Sequence, residues 1–298
     1  MANGPEPSPL DAIADWPVET TAAAVVSPAT TLTTRGDQQW NTRIASITKL
    51  FVAYAAIVAV EEESITLDQQ AGPEGSTVRH LLAHTSGLSF GGTTPITAPG
   101  RRRIYSNTGF EVLGDVISRS TGIPVESYVA EAVFEPLGMN SSEIRGSPAH
   151  AAHSTVADLA HLAREWLAPR LVTPATLAAA TSEQFPGVAG VIPGLGRYDP
   201  NPWGLGFELK GTKQPHWTAP EGSPGTFGHF GGAGTFVWVD PDAMVGCVVL
   251  TDRAFGPWAP PLWSSLSSAI LTELTEAARK PPPRATEPGR PDRSTQGS

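Results

Sequence analysis

Residues 46–60 of the 298-residue chain read SITKLFVAYAAIVAV. From Leu50 onward the stretch is apolar on every side of a helical projection, which predicts a helix that is buried all round. Ser46 and Lys49 are three positions apart, so on a helix their side chains lie on one face. Burial lowers the pKa of a lysine amine, and a neutral amine can accept the proton of a serine hydroxyl and activate it as a nucleophile. The spacing is common by chance, but its place at the start of the most apolar helix makes both residues candidates for catalysis.

Two further segments carry polar groups that could complete such a site. Tyr105–Ser106–Asn107 precedes a predicted helix. A tyrosine near a lysine amine can share a proton with it, and an asparagine amide both donates and accepts hydrogen bonds. In the alternative interpretation Asn107 only caps the helix and Tyr105 only packs.

Residues 229–234 read HFGGAG and precede a predicted strand. Glycines let the backbone approach a ligand closely and present free N–H groups. The amides of Ser46 and Gly232 would together form an oxyanion hole. A β-turn without a ligand is the alternative for this segment, and a phosphate loop is excluded because no Gly-Lys-Ser/Thr follows.

In this order the three segments resemble the serine β-lactamase and penicillin-binding protein family, whose pattern is S-x-x-K, S-D-N and K-T-G. Tyr-x-Asn and His-x-Gly in second and third place are similar to the branch that contains class C β-lactamases, D-aminopeptidases and family VIII esterases. The resemblance extends over about residues 22–275, with further matching stretches RIAS at 43–46, HLLAHTSGL at 80–88, VFEPLGM at 133–139 and WGLG at 203–206. It implies an α+β fold of the β-lactamase/transpeptidase type, an antiparallel sheet flanked by helices, with a helical lobe.

The resemblance also implies a serine hydrolase that works through an acyl-enzyme and needs no cofactor. Ser46 would be the acylated nucleophile, and Lys49 and Tyr105 would share the general-base role. Asn107 would orient Lys49 and the substrate.

His229, Gly231 and Gly232 would line the substrate and oxyanion pocket. Where the family pattern has lysine at the head of the third motif, this chain has His229, which is mostly neutral at pH 7 at its ordinary pKa. This weakens recognition of a β-lactam carboxylate and favours esters or neutral amides. The sequence Lys210–Gly211–Thr212–Lys213 is not the lysine motif, because its order is Lys-Gly-Thr.

Three functions therefore stay open. The first is hydrolysis of a small ester. The second is β-lactamase, D-alanyl-D-alanine carboxypeptidase or D-aminopeptidase activity. The third is a non-catalytic member that binds a ligand in the same cleft. We expect a small-molecule ester, amide or β-lactam as the partner, and the oligomeric state is left open.

Composition narrows the classes of partner. The chain has 20 basic and 29 acidic side chains, a net charge of −9, and 40% hydrophobic residues. It should form a packed core, and its charge gives no reason to bind nucleic acid or an anionic membrane. The apolar run Leu50–Val60 is shorter than the roughly 20 residues that cross a bilayer. No basic, apolar leader is visible, which predicts a cytoplasmic protein; it would be secreted or periplasmic if a leader has been removed.

No metal site is expected. A lone cysteine, Cys247, excludes a disulfide framework or a cysteine-rich site. His80 and His84 have the spacing of a zinc protease helix, but Leu81 stands where such a helix has glutamate.

The chain divides into a poorly patterned segment 1–20, a single catalytic unit 21–279 with a helical lobe at about 50–180, and a disordered tail 280–298. A strand pair is predicted at 22–34, strands at 203–209, 234–239 and 244–251, and helices at 108–121, 124–137 and 262–279. Arg101–Arg102–Arg103 is interpreted as a solvated turn, and the alternative is that it steers an acidic substrate. Segments 89–98 and 186–202 show no pattern, so the sequence does not predict what shapes the pocket.

Overall fold

The computed structural model describes residues 8–279. The tail predicted at 280–298 and the first seven residues lie outside this range. The helices in chain order are α1 (Thr48–Glu61), α2 (Val78–Leu82), α3 (Asn107–Thr121), α4 (Val125–Val129), α5 (Glu135–Leu137), α6 (Val156–Leu167), α7 (Pro174–Ala180) and α8 (Ala259–Arg279). The strands in chain order are β1 (Thr21–Val26), β2 (Thr31–Arg35), β3 (Thr42–Arg43), β4 (Arg103–Ile104), β5 (Glu143–Ile144), β6 (Ala152–Ser154), β7 (Gly190–Ile192), β8 (Gly196–Tyr198), β9 (Glu208–Leu209), β10 (Phe227–Gly231), β11 (Thr235–Asp240) and β12 (Val245–Thr251).

The main sheet has the strand order β2-β1-β12-β11-β10-β9, and neighbouring strands are antiparallel. Both predicted strand pairs, β1–β2 and β11–β12, are confirmed. Strand β1 pairs along its whole length with β12, from Thr21 opposite Thr251 to Val26 opposite Gly246. The first and last strands of the chain therefore lie side by side inside the sheet, with β2 at the edge next to β1.

Helix α1 is confirmed as a fully buried helix. Every residue from Thr48 to Ala59 is buried, and the helix contacts α3, α4 and α7. A helix with no polar face is stable only when other elements surround it, and here the core of the helical lobe does so. The apolar pattern of residues 50–60 thus explains why α1 lies in the core of the helical lobe.

Helices cover both faces of the main sheet. On one face α6 packs against β1, β11 and β12. On the other, α8 packs with a 3-10 helix, Pro9–Asp15, over a cluster that includes Trp217, Trp238 and Trp263. This is the predicted α+β arrangement of an antiparallel sheet flanked by helices. Among residues 8–279, no helix combines the length and the hydropathy of a bilayer span.

The predicted helix ends at Gly122 and Gly138 are confirmed, and both glycines adopt the left-handed conformation. The helix predicted over 124–137 is interrupted, however. Helix α4 passes into a π-helical segment, Ala130–Phe134, before α5. Such a segment inserts an extra residue into the helical turn, which periodicity alone does not reveal.

The strand predicted at 203–209 is wrong over most of its length. Only Glu208–Leu209 forms a strand, because the chain turns at Gly206, whose φ is +88°. A Cβ at Gly206 would lie 2.2 Å from the Cβ of Ala53, so glycine is required for the turn to approach α1. Trp203 forms an isolated bridge with Glu208.

The interpretation of residues 101–103 as a solvated turn is wrong for Arg103. Arg101 and Arg102 are exposed, but Arg103 is 2% exposed. Its guanidinium donates to the backbone oxygens of Asn201 (2.6 Å), Gln184 (2.8 Å) and Ala83. Five donors in a fixed fork let one arginine satisfy several buried carbonyls, so Arg103 holds three chain segments together.

Candidate active site

Ser46 lies in a 3-10 turn, Ala45–Ile47, that leads into α1. Ala45 has φ +48°, a left-handed conformation that costs a non-glycine residue about 1–3 kcal/mol. Thr48 holds the turn, because its hydroxyl donates to the Ala45 oxygen at 2.6 Å and accepts from the Ala152 N–H at 2.9 Å. The half-buried Ser46 side chain is therefore presented by a strained but well-supported backbone.

Lys49 is fully buried beneath this turn. Its Nζ donates to Asn107 Oδ1 at 2.6 Å and to the Ala149 oxygen at 2.9 Å, and lies 4.7 Å from the centre of the Tyr105 ring. Burial lowers the pKa of Lys49 from 10.5 to about 7, and the Glu111 carboxylate opposes this shift only in part. A large fraction of the amine is then neutral at pH 7, so Lys49 can act as a base.

Tyr105 brings a phenol to the same place. Its hydroxyl is buried and has no hydrogen-bond partner within the described chain. Burial raises the pKa of Tyr105, while the neighbouring Ser46 side chain acts in the opposite direction. At neutral pH Tyr105 is therefore a protonated donor next to Ser46.

Asn107 does not cap α3, so that interpretation is wrong. The cap is Ser106, whose hydroxyl accepts from the Gly109 N–H at 3.0 Å. Asn107 is the first helical residue, and its amide oxygen faces Lys49. Its backbone N–H donates to the Phe90 oxygen at 2.8 Å, which ties the segment 89–98 to the site.

His229 lies on β10 and is 4% exposed. Burial and the Lys49 charge lower its pKa to about 3, so the ring is neutral. Nδ1 lies 2.6 Å from the Phe230 oxygen and must carry the proton, because a carbonyl only accepts. Nε2 is then a buried acceptor, with no partner among residues 8–279. Its ring centre is 5.6 Å from that of Tyr105.

Gly231 allows β10 to lie against the segment that precedes Ser46. A Cβ at this position would stand 2.3 Å from the Ile44 oxygen, which also accepts the Thr235 hydroxyl at 3.1 Å. Gly232 follows at the surface of the cleft, and no atom lies within 4 Å of where its Cβ would be. The close approach of the sheet at Gly231 thus brings Gly232 to the same cleft as Ser46.

A cavity of about 240 Å³, here the inner cavity, joins these groups. Of the predicted residues, Ser46, Tyr105, His229 and Gly232 line it. Lys49 and Asn107 lie behind this lining in contact with each other, and Gly231 is covered by Ile44. Apolar walls complete the cavity, from Phe90, Ile192, Pro193, Trp203, Phe230 and Phe255.

His84 is a residue that sequence reasoning considered only as a metal ligand. It is 1% exposed, and its ring centre lies 4.5 Å from that of Tyr105. Its Nδ1 accepts the Ser106 N–H at 3.1 Å, and burial lowers its pKa well below the ordinary value. A neutral His84 therefore supports both the Tyr105 ring and the backbone next to it. The stretch HLLAHTSGL contains this residue but gives no sign of the contact.

The sequence also missed Glu208, which lines the inner cavity. Its buried carboxylate accepts from Lys213, from His216 Nε2 at 2.9 Å and from Trp217 Nε1 at 2.9 Å. Burial acts to raise the pKa of Glu208, but Lys213 and His216 outweigh it and hold the pKa at about 2. Lys213, which belongs to the sequence Lys210–Lys213 that was distinguished from the lysine motif, thus forms an ion pair with Glu208.

The described residues contain no cluster of three or more histidine, cysteine, aspartate or glutamate side chains suited to a metal ion. His80 points to Thr77, with Nδ1 2.9 Å from the Thr77 hydroxyl, and His84 faces Tyr105. The two histidines therefore do not form the pair that their spacing allowed. His150 and His153 are absent from the lining of the inner cavity as the structure describes it.

Comparison with known proteins gives a consistent result. The family model described as Beta-lactamase matches residues 28–264. The crystal structure of a β-lactamase from Mycobacterium bovis is 51% identical, covers 90% of this chain and 100% of its own, and superposes with a TM-score of 0.89.

Two curated relatives match over shorter regions. A penicillin-binding protein from Bacillus subtilis is 26% identical over 34% of this chain and 30% of its own length. The D-alanyl-D-alanine-carboxypeptidase/endopeptidase AmpH of Escherichia coli is 26% identical over 36% of this chain and 37% of its own. The matched region thus spans about a third of each of these relatives.

Proposed function

Because the chain belongs to the β-lactamase family, we propose that it is a serine hydrolase that cleaves a small ester or amide through an acyl-enzyme, with esters preferred. The observation that carries the proposal is Lys49, a buried amine with a pKa of about 7, which is three residues after Ser46 and is held by Asn107 and by the Ala149 oxygen. A charged amine in that position is costly to bury, which is the expected cost of keeping a base beside a nucleophile.

The reaction would proceed in two halves. The Ser46 oxygen attacks the substrate carbonyl carbon while the neutral Lys49 amine accepts the serine proton. The amides of Ser46 and Gly232 stabilise the negative charge on the carbonyl oxygen. The Tyr105 phenol then passes a proton to the leaving group and recovers one from Lys49. In the second half water attacks the carbonyl carbon of the Ser46 ester and gives a proton to the same pair, which returns a proton to the Ser46 oxygen as the bond to the acyl group breaks and the acid is released.

The charge of the inner cavity supports esters as the preferred class. Neutral His229 stands where the family pattern has lysine, and the lining that the structure describes contains no arginine or lysine; its carboxylate, Glu208, is already paired with Lys213. A substrate carboxylate placed there would lose its hydration without gaining a counter-charge. A neutral ester has no such cost.

The relative from Mycobacterium bovis favours a second candidate, β-lactam hydrolysis, because it is described as a β-lactamase and is 51% identical. The matches to a penicillin-binding protein and to AmpH point in the same direction, toward β-lactams or D-alanyl peptides. All of these reactions use the same acyl-enzyme chemistry, so they differ in the substrate and not in the roles proposed for Ser46, Lys49 and Tyr105.

Two measurements test the proposal. A fluorophosphonate should add its mass to the wild-type protein and not to Ser46→Ala; the absence of an adduct near neutral pH favours the non-catalytic alternative. The kcat/KM of a short-chain nitrophenyl ester should then exceed that of a chromogenic cephalosporin and of a D-alanyl-D-alanine peptide. Turnover of the cephalosporin alone would reverse the order of the two candidates.

A further inference from the structure

A second cavity adjoins the inner one, and the proposed reaction gives it no role. It has a volume of about 280 Å³, and we call it the outer cavity; its lining includes Phe90, Ile96, Arg102, Val191, Pro193 and Arg197. Phe90, Tyr105 and Pro193 line both cavities. The outer cavity is therefore a direct neighbour of the inner cavity, and these three residues form the wall that the two share.

The outer cavity is unusually apolar for an exposed place. Phe90, Ile96 and Val191 are 55%, 65% and 51% exposed. Within the described chain five large hydrophobic side chains are exposed, and these are three of them; the others are Leu32 and Met244. Single exposed apolar residues are ordinary, but a cluster beside a cleft marks a surface that a ligand covers.

The walls of the outer cavity are held in place by hydrogen bonds. Val191 lies on β7, which pairs with β4 on one side and β8 on the other. The Phe90 oxygen accepts from the Asn107 N–H, and Ile96 N–H donates to the Gly87 oxygen at 2.9 Å. A preformed wall loses little conformational entropy when a ligand binds.

The outer cavity also carries positive charge. Arg102 is exposed and makes no ion pair within residues 8–279. Arg197 is exposed and paired with Asp199 at 3.3 Å. The third arginine in the lining, Arg103, is committed to backbone oxygens. Arg102 is thus the cation with free capacity for a ligand anion.

From this combination we infer that the outer cavity binds an apolar arm of the substrate that carries an anionic group, which Arg102 recognises. Each cavity alone is smaller than the roughly 300–1,000 Å³ of ordinary small-molecule sites, so a substrate of usual size extends through both. The reacting carbonyl would lie in the inner cavity, where charge is disfavoured, and the anion at the outer arginine. The assignment of the arm to a substrate rests on the proposed function, whereas the binding itself does not.

Binding is tested without catalysis, in the Ser46→Ala variant. Calorimetric titration with butyrate, hexanoate and octanoate should show affinity rising about four-fold for each added methylene. Octanoate should bind about two- to five-fold more tightly than octanol at low salt, as an exposed ion pair allows.

Matched variants locate the ligand. Arg102→Gln should remove the preference for octanoate over octanol, while Arg101→Gln, at the adjacent exposed arginine outside the lining, should retain it. Ile96→Ser should weaken both ligands several-fold, while Met244→Ser, at an exposed apolar residue elsewhere, should weaken neither. If the affinity for octanoate is unchanged in Arg102→Gln and in Ile96→Ser, the inference is wrong.

Kinetics in the wild-type protein separate this inference from the proposed function. Aryl octanoates carry the long chain on the acyl side of the ester, and octyl acetate carries it on the leaving-group side. In at least one of the two series kcat/KM should rise with chain length. This rise should be lost in Ile96→Ser. Turnover of short esters without any such gain contradicts the inference and leaves the proposed function standing. Octanoate binding that weakens in Arg102→Gln and in Ile96→Ser, without turnover of any ester, supports the inference and contradicts the proposed function.

Discussion

Replacing Lys49 by methionine should stabilise the protein at pH 7, and by an amount that falls as the pH rises. The pKa of Lys49 falls from 10.5 in the ordinary state to about 7 on burial. Between these values the unfolded chain binds more protons at this position than the folded one, so wild-type stability rises with pH across that window. Each pKa unit corresponds to about 1.36 kcal/mol. The buried amine therefore costs about 4 kcal/mol at pH 7 and about 2 kcal/mol at pH 9.

Methionine removes this cost together with the hydrogen bonds to Asn107 and Ala149. The loss of those hydrogen bonds reduces the stabilisation by about 1–3 kcal/mol, and this reduction is nearly the same at each pH. The difference in unfolding free energy between Lys49→Met and wild type should consequently shrink by about 2 kcal/mol from pH 7 to pH 9.

Urea unfolding followed by tryptophan fluorescence at several pH values measures this difference. Arg101→Met, at an exposed and permanently charged position, serves as the control. Its difference in unfolding free energy from the wild type should stay the same from pH 7 to pH 9. A Lys49→Met difference that stays constant from pH 7 to pH 9 would mean that Lys49 is not desolvated, and the argument for a neutral base beside Ser46 would fall with it.

Three further predictions concern the reaction and the approach of the sheet. The kcat/KM for ester hydrolysis should rise about ten-fold from pH 6 to pH 8 and then level off, because Lys49, as the proposed base, must lose its proton with a pKa of about 7; a flat pH–rate profile would contradict this. Tyr105→Phe should lower the rate about 10²–10⁴-fold without unfolding the protein, and a rate near wild type would exclude the phenol as proton carrier. Gly231→Ala should lower the free energy of unfolding by about 1–3 kcal/mol because its Cβ would meet the Ile44 oxygen, whereas Gly232→Ala should retain the wild-type melting temperature; equal melting temperatures would refute the close approach.

The elements that were predictable from sequence are those whose signal is local. Helix α1 follows from one uninterrupted apolar stretch, and the β11–β12 hairpin from Asp240–Pro241–Asp242 between two apolar strands. Gly122 and Gly138 end helices because a residue without Cβ adopts a positive φ without strain. The candidate site residues could be proposed from the sequence because their motifs are short and have fixed internal spacing.

The missed features depend on what the fold brings together. Arg103 looks like its exposed neighbours in the sequence, and only the meeting of three distant backbone segments makes it a buried donor. Glu208 and Lys213 are close in the chain, but their burial depends on the turn at Gly206. His84 supports Tyr105 across the site. No periodicity or motif in one sequence contains such long-range packing.

The pairing of β1 with β12 has a consequence for how the protein is made. In a nascent chain β1 and Ser46 leave the ribosome well before Gly232 and β12 do. At about 5–20 residues per second the interval from Ser46 to Thr251 lasts about 10–40 s. During that time β1 has an open edge where β12 will pair, and Ser46 lacks the Gly232 amide that we propose as the second donor of its oxyanion hole. The proposed acylation of Ser46 should therefore appear only after β12 has left the ribosome and paired with β1.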